Sequence, residues 1–514
     1  MRKNLLALSI AAMIGGVSGM ANAAVFKSNA IVAGDVVAND LAVAAAPATA
    51  LNPTVTGVGH ILTVPYFTTQ GTNATLLNLI NTDTVNGKAV KLRFRGAANS
   101  DDVFDITIFL SPGDMWTANV SAKGDLSSLT TNDTSCTLPS IADIKAQDGL
   151  FKTGRVNPTN SNAETREGYV EILNTADIPP ATGATALFTA IKHVAGKAPC
   201  TASVMDVQSN DLVAGSASHN PKVRGYSWPT GGLTANWVIV NTADMASFSG
   251  EAVAIRAETA GGLPAAGNLV SFPQTTDAPD YTTSAAPAGE KVKGFTADPL
   301  LQDASFAAQV ANYDFPDLST PYTSNLAIDA TGTAGQAQAL ATALATKAVV
   351  NEYMVGGDAN FSTDWVFSSP TRRYAAAVDY TAKKVLFNTA VNTHYSAANT
   401  SLNATTLQAC VTPGGAMKGY SREEDTQSTF VISPDTALKL CGETSVLSFG
   451  VGTTAPTKVL NAAIASRNVA VNYAEGWLNI GTTGLGNGLP VIGFAAAKTK
   501  GSNLGGTWNH RTSK

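Results

Sequence analysis

Between Thr56 and Val120, short apolar runs alternate with turn clusters. The runs are Ile61–Tyr66, Leu76–Ile80, Val90–Phe94, Val103–Leu110 and Met115–Val120, and the turns include Asn86-Gly87 and Ser111-Pro112-Gly113. Runs of this length, rich in Val, Ile, Thr and Phe and bounded by Asn, Asp, Gly and Pro, predict consecutive antiparallel strands. They read as half of a β-sandwich. A degraded echo follows, in which Ala235–Thr242 and Gly250–Arg256 repeat the pattern of Leu76–Thr82 and Gly87–Arg93.

Alternation resumes at Glu167-Gly168-Tyr169-Val170-Glu171-Ile172, which has a counterpart in Glu475-Gly476-Trp477-Leu478-Asn479-Ile480. Four apolar runs end in Asn-Thr, at Asn81, Asn174, Asn241 and Asn388. Both side chains can bond their own backbone, so the pair reads as a strand terminator. The unequal intervals disfavour a fixed-period solenoid or propeller. Helices are expected at Ile141–Gln147, Thr185–Val194 and the Ala-rich Ala334–Tyr353. Further strands are expected at Asp364–Phe367, Tyr374–Val378, Lys384–Phe387, Val446–Val451, Val469–Asn472, Trp477–Ile480 and Val491–Ala495. The fold class is therefore mainly β: tandem β-sandwich-like domains with a few short helices and long polar loops.

Met1–Ala23 reads as a secretory signal, with Arg2 and Lys3 at its start, an apolar core from Leu5 and Ala21-Asn22-Ala23 as the cleavage signature. After it come an N-terminal arm (24–56), a first β-rich domain (57–275), a linker or long loop (276–290) inside the Pro- and Thr-rich stretch Pro273–Lys291, and a second β-rich domain (291–514). The arm reads either as an extended segment docking on something else or as a loose terminus.

Composition narrows the function classes. Loss of Arg2 and Lys3 takes the formal charge from −5 to −7, and no basic block remains. That balance argues against nucleic acid, whose phosphates demand clustered cations. Charged residues make up only 14% of the chain, so two faces of this protein could meet with little charge to desolvate. In an exported chain the four cysteines favour bridges. Cys410 and Cys441 pair across the turn at Pro413-Gly414-Gly415, which leaves Cys136 to pair with Cys200.

The residues that could carry chemistry show no catalytic spacing. His60, His193, His219, His394 and His510 are scattered and read as surface or satisfied core residues. A Gly-x-Ser-x-Gly elbow is lacking after the leader, and the glycines at 481, 484, 486 and 488 lack a P-loop lysine and read as a hairpin. Neither Glu423-Glu424-Asp425 nor Asp314 with Asp317 sits in an aromatic-rich setting. No catalytic residue is assigned, and the chain is not read as an enzyme. Asp358, Asn360, Ser362 and Asp364 place side-chain oxygens at alternate positions. The stretch reads first as a polar loop before a strand; calcium is the best-supported ligand, since it prefers hard oxygen donors. Asp101, Asp102 and Asp105 form a weaker set.

The stretches VPYFTTQGTNATLLNLINT, VKLRFR with SDDVFDITIFLSPGDMWTANV, NEY, TDWVFSSPTRRY, and GWLNI with GLPVIGF resemble those of bacterial cell-surface proteins, among them surface-layer (perforated-layer) proteins of Gram-negative bacteria. The resemblance implies a β-rich structural subunit, held on the outer face of the outer membrane and assembled with its own copies into a ring or two-dimensional porous array. An outer-membrane protein or lipopolysaccharide would be its anchor, and the arm with the inter-strand loops its expected contacts. The alternative is a secreted adhesin or carbohydrate-binding surface protein whose exposed Trp and Tyr stack on sugars; a secreted enzyme is the third reading.

Overall fold

The computed structural model describes residues 24–29, 41–271 and 317–514, apart from 155, 158, 160, 181–185, 210–211, 213–219, 324–329, 358–359, 436 and 500–503. The leader, the linker at 276–290, His219, Asp314 and Asp358 lie outside the described residues. The chain is mainly β, in several separate sheets. All five runs between Thr56 and Val120 fall within observed strands: Ile61–Thr68, Asn73–Asn81, Gly87–Gly96, Asp102–Leu110 and Met115–Lys123.

In the first half a seven-stranded sheet runs Ala50–Thr54, Val253–Glu258, Ile61–Thr68, Glu167–Ile178, Gly87–Gly96, Asp102–Leu110, Cys136–Leu138. It packs on a five-stranded sheet centred on Asn73–Asn81. The internal echo has a structural meaning: Leu233–Asn241 lies antiparallel beside Asn73–Asn81, with Trp237 opposite Leu77, and the two strands bury alternate residues in the same sequence of positions. The echo thus builds two neighbours of one sandwich. In the second half a five-stranded sheet (Thr426–Gln427, Met417–Ser421, Glu475–Gly481, Ala348–Met354, Arg511–Ser513) covers a six-stranded one containing Phe361–Ser368. Tyr353, Trp365 and Phe449 fill the space between them.

Among the described residues no sheet mixes strands from the two halves, yet the cores are shared. Trp237 packs against Phe494 at 4.5 Å, and one continuous cluster holds Leu62, Phe67 and Trp237 together with Val366, Val446 and Leu460. Polar bonds cross as well. Glu167 Oε1 accepts the backbone N–H groups of Ala463, Ile464 and Ala465 while its Oε2 accepts from the Tyr66 hydroxyl at 2.6 Å. The boundary drawn at 276–290 therefore separates the sheets and not the cores.

A charged stripe lies under this junction. The strand Gly87–Gly96 turns Val90, Leu92 and Phe94 into the sandwich and Lys91, Arg93 and Arg95 to its other face, where every one of them is buried. Their carboxylate partners come from neighbouring strands and from the second half. Arg95 meets Glu171 at 3.3 Å and Asp317 at 3.6 Å; Asp317 is also bonded by Arg373, and Arg372 meets Glu443 at 2.5 Å. Burial holds the Glu443 carboxyl above its ordinary range, an effect the Arg372 cation partly offsets.

Several sequence expectations need correction. The helix expected over Ala334–Tyr353 spans Ala330–Leu344, and the chain then becomes the strand Ala348–Met354. Val349, Val350 and Tyr353 favour a pleated surface, and the partner strand Glu475–Gly481 supplies the ladder. Thr185–Val194 contributes only the short helix Leu187–Ile191. Asn174-Thr175 is not a terminator; it sits in a bulge within Glu167–Ile178, where Thr175 Oγ1 donates to the Ala89 carbonyl. The described parts of the arm dock on this chain itself, Ala24–Phe26 pairing with Leu269–Ser271 and Ala50–Thr54 with Val253–Glu258. The bridges are Cys136–Cys200 and Cys410–Cys441, the latter joining paired residues on adjacent strands.

Arg373→Met keeps the hydrocarbon volume but strips the cation from Asp317 and Glu171. Removing one partner of a buried pair costs roughly 3 to 5 kcal/mol, so the guanidinium chloride midpoint should fall at unchanged slope. A loss below about 1 kcal/mol, the range of an exposed pair, would show the stripe to be solvated.

Candidate functional site

The outward face of the second-half five-stranded sheet carries an aromatic row beside an open groove. Along Glu475–Gly481, Leu478 and Ile480 point to the core, which leaves Glu475, Trp477 and Asn479 outside. Strand pairing sets Tyr420, Trp477 and Glu352 in one cross-strand row. The rings of Tyr420 and Trp477 stack with centroids 4.1 Å apart and planes 13° from parallel. Trp116, Trp237 and Trp365 are fully buried, whereas Trp477 keeps 37% of its surface exposed.

An open groove of about 380 Å³ lies against this row, lined in part by Glu352, Met354, Arg422, Glu475, Trp477 and Trp508. Its charges are mutually paired: Arg422 bonds Glu475 at 3.3 Å and, from the neighbouring strand, Arg511 bonds Glu352 at 2.9 Å. Trp508 is fixed by its indole N–H, which donates to Asn351 Oδ1 at 2.5 Å. Gly476 is required here, because a Cβ would stand 2.1 Å from the Tyr420 carbonyl oxygen; its counterpart Gly168 faces the same constraint at 1.8 Å from the Arg95 carbonyl.

The residues singled out from sequence have other surroundings. Asn360 occupies a left-handed turn at φ +48°. Ser362 and Asp364 follow on the strand Phe361–Ser368, both buried. Asp364 Oδ2 accepts the N–H groups of Val459 (2.8 Å) and Leu460 (2.9 Å), so it holds a loop of the second half. Among the described residues no group of three or more His, Cys, Asp or Glu is placed to hold a metal ion. Asp101 and Asp105 belong to the charged stripe and its surroundings, Asp101 accepting from the Tyr380 hydroxyl and Asp105 from Lys91, each at 2.5 Å. Glu423, Glu424 and Asp425 lie exposed beside the groove's rim, where Arg422 bonds Glu423 at 3.1 Å.

The described histidines are bonded in place. His60 Nε2 donates to the Ala265 carbonyl (2.9 Å) and its Nδ1 accepts the Ala257 N–H (3.1 Å), while His510 Nε2 donates to the Val366 carbonyl (2.8 Å). The groove's signal in the sequence is the phase of Trp477, an aromatic at the outward beat of its strand. No known family, curated protein or solved structure matches the chain.

Burial pushes His60 down to about 3 and His510 down to about 4 from 6.5. A depressed imidazole stabilises the fold fully above 6.5 and loses that contribution as pH falls through the folded value. Asp364, raised by burial from 3.8 to about 6, runs the other way; its contribution is complete below 3.8 and lost as pH rises through about 6. Resolved imidazole resonances separate these effects. Those of His60 and His510 should stay neutral at pH 5, and titration of either near 6.5 would contradict the burial argument.

Proposed function

We propose that the protein is an exported structural subunit of the outer cell surface of a Gram-negative bacterium, assembling with its own copies into a porous array. The observation that carries this reading is the placement of charge. Lys88, Lys91, Arg93, Arg95, Arg372 and Arg373 are all buried, most of them in pairs that brace the body, so part of an already small set of charges is withdrawn from the surface. A body braced in this way, with two disulfides, suits load-bearing, and its weakly charged exterior suits contact between copies.

One contact patch is supplied by the end of the first sandwich. There the Asp83–Asn86 turn meets the Ser111–Asp114 turn, with Gly113 N–H bonded to the Asp83 carbonyl, and His193 rests on Asp114. Val85 on the first turn, Met115 at the start of the strand after the second, and Val194 next to His193 are exposed. A patch of this kind engaging a different surface of the next copy gives head-to-tail association, which closes into rings, and a second contact extends rings into a sheet. The arm is less suited to the role than its sequence implied, since its strands are used internally.

Sedimentation and negative-stain imaging test the reading on the mature protein, with calcium and lipopolysaccharide supplied. Rings or sheets are expected at high concentration, and Met115→Lys with Val194→Lys should return smaller species with unchanged circular dichroism. A wild-type protein monomeric under every condition, or a variant that assembles equally well, would overturn the array or its placement, respectively.

A further inference from the structure

We infer that the groove beside Trp477 binds a neutral pyranose chain. Tyr420 covers one face of the Trp477 indole. The groove takes Trp477 with Met354 and Glu352 into its lining and leaves Tyr420 out, so it lies on the indole's other side. An aromatic surface locked by stacking on one side and open on the other is a preorganised platform, with no ordering cost at binding. The apolar C–H face of a pyranose ring suits such a platform, because its slightly positive hydrogens meet the negative π face.

A few polar groups stand along the mostly apolar lining. Sugar hydroxyls are both donors and acceptors, and the groove offers carboxylate acceptors in Glu352 and Glu475 with a guanidinium donor in Arg422. Each carboxylate already meets an arginine, Arg511 for Glu352 and Arg422 for Glu475, the latter shared with Glu423 at the rim. The site thus presents hydrogen-bonding groups whose charges are paired, with an acidic excess at the rim that disfavours a uronate or a phosphate, while the exposed indole face suits a neutral sugar. Its volume of about 380 Å³ falls within the range of roughly 300 to 1,000 Å³ typical of small-ligand sites. The groove is open, so a chain can continue past the sugar on the platform. This inference is independent of the array, since a monomer would carry the same groove.

Titration of the full mature chain with neutral hexasaccharides of glucose, mannose and N-acetylglucosamine tests it, read by tryptophan fluorescence and calorimetry, with oligogalacturonate as the charged control. At least one neutral oligomer should bind and shift the fluorescence. Trp477→Ala should weaken that binding by about tenfold while leaving the far-ultraviolet circular dichroism and self-association unchanged, with the thermal midpoint lowered by loss of the Tyr420 stack, and Glu352→Gln should weaken binding less. Failure of all three neutral oligomers, preference for oligogalacturonate, or binding indifferent to Trp477→Ala would overturn the proposal. Loss of self-association in Trp477→Ala would instead assign the groove to a second copy of the chain.

Discussion

The structure depends on a guanidinium cluster closed over by carboxylates from two distant parts of the chain. Arg95 belongs to the first sandwich and Arg373 to the second half, and both bond Asp317 while Arg95 also holds Glu171. Taking each ion out of water costs several kcal/mol, which only the complete set of partners offsets. Either half opened alone would expose charges poised for partners they no longer have. The arrangement adds little net stability compared with an apolar interface, but it makes the two halves conditional on one another. The apolar contacts around Trp237 and Phe494 supply the attraction, and the ion pairs fix the register in which they meet.

Much of the β architecture was legible from local pattern, because a half-buried strand writes its period into the chain. The alternation in Leu76–Ile80 and in Ala235–Asn241 gave two strands, and the likeness of the two reflected adjacent places in one sheet. Pattern could not say what covers a strand's second face. Val-Lys-Leu-Arg-Phe-Arg reads as apolar on one side and charged on the other, which describes a solvated strand equally well; only the distant Asp317 and Arg372-Arg373 turn that charged side into an interior. Helix propensity misled at Val349–Tyr353 for a related reason, as pairing with Glu475–Gly481 outweighed the Ala-rich run before it.

The site was legible only in part. Alternate oxygens at Asp358, Asn360, Ser362 and Asp364 drew attention to a loop, but Asp364 points inward to the amides of Val459 and Leu460. The groove arises from four segments separated by tens of residues, so no spacing announces it; the outward-facing Trp477 is its one local mark. Buried charge braces the body, while the aromatic row of Tyr420 and Trp477 stands on the outward sheet face.

Scanning calorimetry of the chain from residue 24 onward tests this interdependence most directly. If the shared cores and the buried cluster make one cooperative unit, unfolding at neutral pH gives a single transition whose calorimetric and van't Hoff enthalpies agree. Two resolved transitions, one for each side of the 276–290 boundary, would contradict the account.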